Sequence, residues 1–476
     1  MSRKNEGKNA RQAKSSKEKM YMIFVAVVAV LVVGLLLFML LRQAGVIPSG
    51  NAGGSFRADS AIRLSVNNAN HAFVLEKKDG TWQLDADATF PVDAEKTGTI
   101  LQALAGISSH RTLPKSADPA SCGLESPAAS VSVSLQNGKE KSFLIGSYDE
   151  AAGESFYRTE PDGRIRAFSG NLAYLTTLSE YDLITVPQLP AISSQNVTGI
   201  RIENHALSAV TDLRYYPDLR PDIDYSGTCT WFSAFPDGLE RPANEDNLPY
   251  LMAAIESLRY EYCIGWNVAD DVLSAYGFDE PEMEVTLQWN EGGTRRLDLI
   301  ISGSSQGSAY YFVREKDSRN ICLLPGSVGM FLESATPDSL TSKNPGYVGL
   351  DRIRAFEAVL EGKKITGEIL RENGQTLYRI NGTEISQYDF TMLYVNFFNL
   401  YGKTILPEAP AEVGKTVFSL TMNLVGGDGP QQLVYTISEY DADTLLFAAG
   451  GRAWMTMERS QLETLQRTLA EHLTDS

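Results

Sequence analysis

The stretch Cys122-Gly123-Leu124-Glu125-Ser126-Pro127 runs into an alternating strand with Val131, Val133 and Leu135. It returns as Tyr276-Gly277-Phe278-Asp279-Glu280-Pro281, followed by Val285, Leu287 and Trp289. Glycine punctuates the turn, and proline forces an extended approach to the strand. A turn-and-strand step that recurs within one chain signals an internal repeat.

Working outward, the same order of elements surrounds each occurrence. A short alternating strand opens each unit: Ile62-Arg63-Leu64-Ser65-Val66, Ile200-Arg201-Ile202 and Ile353-Arg354-Ala355-Phe356. A hairpin follows, turning at Asp79-Gly80 in the first unit and Asn373-Gly374 in the third, dipeptides suited to a type I′ turn. Thr230-Trp231 matches Thr81-Trp82, and the third unit carries Leu377-Tyr378 instead. Apolar stripes of helical period come next: Ile100, Leu101, Leu104 and Ile107 behind an Asp93 cap; Leu248, Leu251, Met252, Ile255 and Leu258; and Phe390, Leu393, Phe397 and Leu400 behind Ser386. After the glycine-proline step, turns at Asn137-Gly138, Glu291-Gly292-Gly293 and 426–429 precede further strands. A last strand and a closing helix finish each unit, the final one from Gln461 to Leu473 with His472 in it.

The fold class expected is α+β. Three tandem units, at 57–186, 195–343 and 350–473, each place helices against an antiparallel sheet with one buried face. The third is degenerate, keeping only Val413-Gly414-Lys415 of the glycine-proline step.

This order of tryptophan hairpin, helix, Gly-Leu-x-x-Pro step and tyrosine-bearing strand resembles the bacterial domain of unknown function 4340 family. The residues that carry the resemblance are Trp82, Gly123, Leu124, Pro127, Gly146 and Tyr157, then Trp231, Gly277, Phe278, Pro281 and Gly303. It extends over nearly all of residues 57–473. The resemblance implies a membrane-anchored repeat protein that accompanies ABC-type transport systems of the gliding-motility kind. Permease and ATPase subunits would be its partners. It implies no catalytic residue.

The N-terminus fits an anchor. Residues 20–41 form an uncharged apolar run of 22 residues, MYMIFVAVVAVLVVGLLLFMLL. As a helix this spans about 33 Å, enough to cross a bilayer core. It exceeds a signal-peptide core of about 7–15 residues. The preceding tail, 1–19, holds seven basic residues against Glu6 and Glu18, so it is expected in the cytoplasm, with the bulk of the chain extracytoplasmic. Residues 42–56, rich in glycine, read as a linker.

The chain has 476 residues, with 42 basic and 59 acidic side chains and a net charge of −17. Removing the 8 basic and 2 acidic residues of 1–42 leaves 34 and 57 beyond the anchor. That balance opposes binding to nucleic acid, which needs a basic face.

Candidate chemistry is sparse. Gly303-Ser304-Ser305-Gln306-Gly307 matches the G-x-S-x-G pattern, but a nucleophile elbow needs a strand before it and a helix after it. Here Tyr310 to Arg314 reads as another strand, giving a hairpin loop. His71, His110, His205 and His472 show no metal-ligand spacing. Cys122, Cys229, Cys263 and Cys322 allow three pairings, with none selected by sequence. Asp222-Ile223-Asp224 and Asp441-Ala442-Asp443 lack the rest of a calcium loop and read as solvated turns. The glycines at 426–429 lack the lysine of a phosphate loop. No catalytic, cofactor or metal residue is assigned.

Two features suit binding. The second unit inserts Tyr215-Tyr216-Pro217-Asp218-Leu219-Arg220-Pro221, running on to Tyr225. Loops rich in Tyr, Arg and Pro suit protein contacts, so Tyr215, Tyr216, Arg220 and Tyr225 form the candidate partner loop. Trp82 and Trp231 fit a core position better than a sugar platform. The expected function is a non-catalytic accessory or interaction protein of a transport system. The alternative is a module binding cell-envelope carbohydrate or another small ligand.

Overall fold

The computed structural model describes residues 56–475, except 110, 161–162, 219, 221–227, 306, 308, 373 and 426–431. The basic tail, the apolar run 20–41 and all of the linker but Phe56 lie outside the described residues. No helix among the described residues is long and apolar enough to cross a membrane.

The first compact unit ends at Thr185. It holds β1 (Ala61–Asn68), β2 (Ala72–Lys78), β3 (Thr81–Leu84), α1 (Ala94–Gly106), β4 (Arg111–Thr112), β5 (Ala129–Leu135), β6 (Glu140–Asp149), β7 (Glu154–Glu160) and β8 (Ile165–Ser169). Their order across one antiparallel sheet is β3-β2-β1-β5-β6-β7-β8-β4. The chain lays down three strands and crosses by α1 to the far edge. It then returns to the middle, where β5 pairs with β1.

The second compact unit, Val186–Ser476, repeats this route twice. Its first sheet comprises β9 (Val197–Asn204), β10 (Ala209–Tyr215), β11 (Trp231–Ala234), β12 (Glu240–Pro242), β13 (Tyr262–Gly265), β14 (Met283–Asn290), β15 (Thr294–Ser304), β16 (Tyr310–Glu315) and β17 (Ile321–Pro325). Helices α2 (Leu248–Glu256), α3 (Asp270–Ala275), α4 (Gly326–Ser334) and α5 (Pro337–Leu340) accompany it. The next sheet comprises β18 (Ile353–Leu360), β19 (Lys363–Glu372), β20 (Gln375–Ile380), β21 (Thr383–Ile385), β22 (Gly402–Ile405), β23 (Thr416–Leu424), β24 (Gln432–Glu439), β25 (Thr444–Ala449) and β26 (Arg452–Glu458). Helices α6 (Gln387–Val395) and α7 (Arg459–Leu469) and a short β27 (Thr474–Asp475) complete it. The orders are β12-β11-β10-β9-β14-β15-β16-β17-β13 and β21-β20-β19-β18-β23-β24-β25-β26-β22. Apart from one added edge strand in each, β12 and β21, both follow the plan of the first sheet.

Local chemistry accounts for the crossing helices. The Asp93 carboxylate accepts from the backbone N–H of Glu95 and Lys96, satisfying donors that a helix start leaves free. Thr97, Leu101 and Leu104 then face inward at helical spacing. In α6, Ser386 caps Asp389 N, and Phe390, Leu393 and Tyr394 are buried. Strands such as β5 alternate buried and half-buried residues along their whole length, as one covered face requires.

The opening strands differ from their expected alternation. Each carries a bulge at its second residue. Ala61 and Arg63 pair with the adjacent Leu135 and Ser134, Val197 and Gly199 with Trp289 and Gln288, and Ile353 and Ala355 with Leu424 and Asn423. An extra residue flips the pleat, so Ile62 points outward while Ala61, Leu64 and Val66 are buried. The residues in step are therefore Leu64, Ile200 and Phe356. The closing elements also differ. The first sheet ends in short 3-10 turns, Ala173–Thr176 and Glu180–Leu183. The final helix stops at Leu469, and His472 lies in an exposed turn beyond it.

The glycine-proline step covers the outer face of its sheet. Leu124 and Cys122 pack with Ile165, Leu144 and Phe156, and Phe278 packs with Ile300, Ile321 and Phe312. Leu144 lies between the inward Phe143 and Ile145, so by the period of two it faces away from the main core. Gly123 is left-handed at φ +65°, and a Cβ there would meet Ser147 N at 2.8 Å. Gly277 takes φ +80° against Ser302, and Gly414 abuts Glu439 at the same place in the third sheet. Pro127 and Pro281 are half-buried where the chain enters β5 and β14.

Candidate functional site

The hairpins that turn in two residues in the first and third sheets are replaced in the second by residues 216–230, between β10 and β11. The base of this insertion gathers on Glu240 of β12. The Tyr216 hydroxyl donates to Glu240 Oε1 at 2.8 Å. Arg220 lies 4.5 Å over the Tyr216 ring and reaches Glu240 Oε2 at 3.3 Å. Arg214 reaches Glu240 Oε1, also at 3.3 Å. Tyr215 packs its ring 5.5 Å from that of Trp231. Of the four residues expected in a partner loop, Tyr216 and Arg220 thus meet on Glu240, while Tyr215 packs separately on Trp231. The fourth, Tyr225, lies outside the described residues, as do Asp222 and Asp224.

The next residue after Glu240 enters a hollow of about 350 Å³ between the second and third sheets. Arg241 is 6% exposed. Its guanidinium lies 5.2 Å over the indole of Trp454 and donates to Ala449 O at 3.4 Å. Trp454, on β26, is 2% exposed, and its Nε1–H has no partner among the described residues. Lys343 Nζ lies on Asp338 Oδ2 and Lys403 O, both at 2.8 Å. Tyr347 and Tyr401 form the rim, 38% and 56% exposed. Burial, with the charge of Asp351, pushes the Tyr347 phenol up.

Contacts around the hollow join the two sheets. Phe235, from the turn between β11 and β12, is part of the third sheet's core. Arg452 pairs with Asp237 and covers Phe235 at 5.4 Å. Ile405 N donates to Asp338 Oδ1 at 2.7 Å, and Gly402 N to Lys343 O at 2.8 Å.

The hollow is lined by the Arg241 guanidinium and the Lys343 ammonium group, both already engaged within the fold, and by phenols beside the carboxylates of Glu245 and Asp246. No histidine lines it among the described residues. Sequence reasoning missed Glu240, Arg241, Lys343 and Trp454. Each stands alone in the chain, with no motif around it, and only strand order brings them together.

Other candidate chemistry resolves locally. Ser304 ends β15 and Ser305 starts the loop to β16, where Tyr310 N donates to Ser305 Oγ at 3.1 Å. A hairpin, not a strand-to-helix elbow, carries these serines. Asp441 accepts from Asp443 N, Thr444 N and Thr444 Oγ1, an Asx turn that occupies its oxygens. His71 lies 3.5 Å from Glu180, and His205 lies 3.6 Å from Glu284. No group of three metal-ligating side chains occurs among the described residues. Trp82 is 8% exposed, and Trp231 is half-buried beside Tyr215, so neither hairpin offers an open indole face.

Residues 82–214 match the model of a family described as Domain of unknown function (DUF4340). The matched stretch begins at the hairpin tryptophan of the first sheet and ends in β10 of the second. No curated protein and no solved structure matches the chain.

Proposed function

We propose that the chain is a membrane-anchored, extracytoplasmic accessory protein of an ABC-type transport system, working by binding rather than catalysis. The observation that carries this reading is the departure of the second sheet from the shared plan. A two-residue turn is replaced by residues 216–230, whose base is fixed by Tyr216, Arg220 and Glu240. A loop rich in Tyr and Arg on a rigid edge is suited to holding a partner. The 22-residue apolar run and its basic flank supply the anchor and its orientation. The transport context comes from the resemblance read from the repeats; the family match itself names only a domain of unknown function.

The test is chemical cross-linking of the full chain in its native membranes, followed by capture and mass spectrometry. Recovery of a permease and its ATPase, lost when Tyr216 and Arg220 are both changed to Ala, is the expected result. Good bait yield with no transport component would overturn the reading.

The hollow beside Arg241 favours a second reading, a module for a small ligand. It predicts a change in intrinsic tryptophan fluorescence, through Trp454, on addition of cell-envelope glycans or small anions. Silence across such a panel would remove it.

A further inference from the structure

Four cysteines allow six different single bridges, and the register of the second sheet singles out one. Cys263 on β13 stands directly opposite Cys322 on the antiparallel neighbour β17. Both are buried, at 2% and 1% exposed. Residues directly opposite on antiparallel strands have Cα atoms about 4.5–5.5 Å apart. A disulfide spans Cα separations of about 4.4–6.8 Å. The register therefore places the two Cα atoms within the span of a disulfide, although both thiols are free in this structure. The remaining cysteines are placed elsewhere. Cys122 belongs to the glycine-proline step of the first compact unit, and Cys229 ends the insertion beside Glu245, 3.6 Å from Oε1.

We propose that Cys263 and Cys322 form a disulfide that fastens β13 to β17. The inference rests on register and burial and is independent of the proposed function. β13 is an edge strand, paired on one side only, and it is four residues long. At the corresponding junctions Thr112 faces Arg166 and Ile405 faces Met455, so the second sheet alone brings two thiols together. The Cys263 thiol donates to Gly265 O at 3.4 Å, and the two neighbouring thiols perturb each other, which lowers Cys263 and, with burial, pushes Cys322 up.

The co-reactant is a disulfide oxidant. One cysteine of the pair, as its thiolate, attacks one sulfur of that oxidant and expels a thiolate, leaving a mixed disulfide. The other cysteine, deprotonated, attacks the sulfur of the first and expels the second thiolate. Two electrons pass from the cysteine pair to the oxidant, and the two thiol protons leave, to solvent or to the expelled thiolates. Burial shields the folded pair from the oxidant, so closure belongs to folding, before β13 docks.

The test uses the full chain in detergent, unfolded under reduction and refolded in a buffer of oxidised and reduced glutathione. Remaining thiols are then alkylated in denaturant, and the protein is digested without reduction. The expected result is one peptide pair linked through Cys263 and Cys322, lighter by two hydrogens than the separate peptides, with Cys122 and Cys229 alkylated. Reduction of the refolded protein should lower its melting temperature by several degrees, and the same reductant should not shift a Cys263→Ser variant. Recovery of Cys263 and Cys322 both alkylated would overturn the proposal, as would a link from either to Cys122 or Cys229.

Discussion

A Cβ on Gly146 would stand 2.2 Å from the carbonyl oxygen of Cys122. The turn that opens the glycine-proline step thus lies directly on the backbone of β6, and the two glycines of the repeat motif, Gly123 and Gly146, serve one contact. Because the obstacle is backbone, no side chain can swing aside. Gly146→Ala should destabilise the first compact unit by about 1–3 kcal/mol, the range for forced overpacking. Gly98 is a contrast: it sits inside α1, and a Cβ there meets nothing within 4 Å. Gly98→Ala should stabilise by about 0.5–1 kcal/mol through helix propensity. Denaturant midpoints of the two variants should move in opposite directions.

Phe235 comes from the second sheet yet is buried, 7% exposed, in the core of the third. Phe235→Ala should cost about 3–5 kcal/mol, the range for emptying a buried aromatic site. The same position explains why a fragment of residues 186–343 should melt below the fragment 186–476: it would expose Phe235 and leave Asp237 without Arg452. Calorimetry of the two fragments checks this, and equal melting temperatures would contradict it.

Asp298 accepts a forked bond from Arg296, at 2.6 and 2.7 Å, and a third from Thr286 Oγ1 at 2.5 Å. The Arg296 bond first, then that of Thr286, holds the carboxyl below its usual range against the opposing effect of partial burial. A carboxyl depressed in the folded state stabilises above its unfolded pKa of about 3.9 and loses that contribution as pH falls through the folded value. Thermal melts should therefore decline as pH drops below about 4. Asp298→Asn should melt lower than the parent at neutral pH and show a shallower acid decline.

Ser305 accepts one backbone hydrogen bond inside a hairpin loop. Ser305→Ala should cost about 0.5–1.5 kcal/mol at most, the net worth of such a bond. Any ester hydrolysis measured with the purified chain should be unchanged in this variant. A selective loss of hydrolysis with the fold intact would restore the serine as a nucleophile.

The repeat was legible because its marks are local. Asp79-Gly80 turns a hairpin wherever it stands, Asp93 caps a helix with its own side chain, and alternation in β5 needs only one covered face. Even Tyr378 could be matched to Trp82 and Trp231 by order alone, and strand pairing puts the three in step. The outward turn of Ile62 was not legible, because a bulge leaves composition untouched and changes only the count of residues opposite a partner strand. The partner loop was partly legible: its Tyr and Arg content stood out, whereas the Glu240 that gathers Tyr216 and Arg220 lies twenty residues or more away from them.

The sequence alone determined the apolar run and its basic flank, the acidic charge of the remainder, the α+β class and the recurrence of one unit, since these depend on composition and on periods of two and 3.6 residues. Tertiary structure decided what depends on distance through space. It joined the second and third sheets around Phe235, stacked Arg241 on Trp454 across more than two hundred residues of chain, and set Cys263 opposite Cys322. Strand order fixes those meetings, and no local preference of the backbone encodes which distant strand a residue will face.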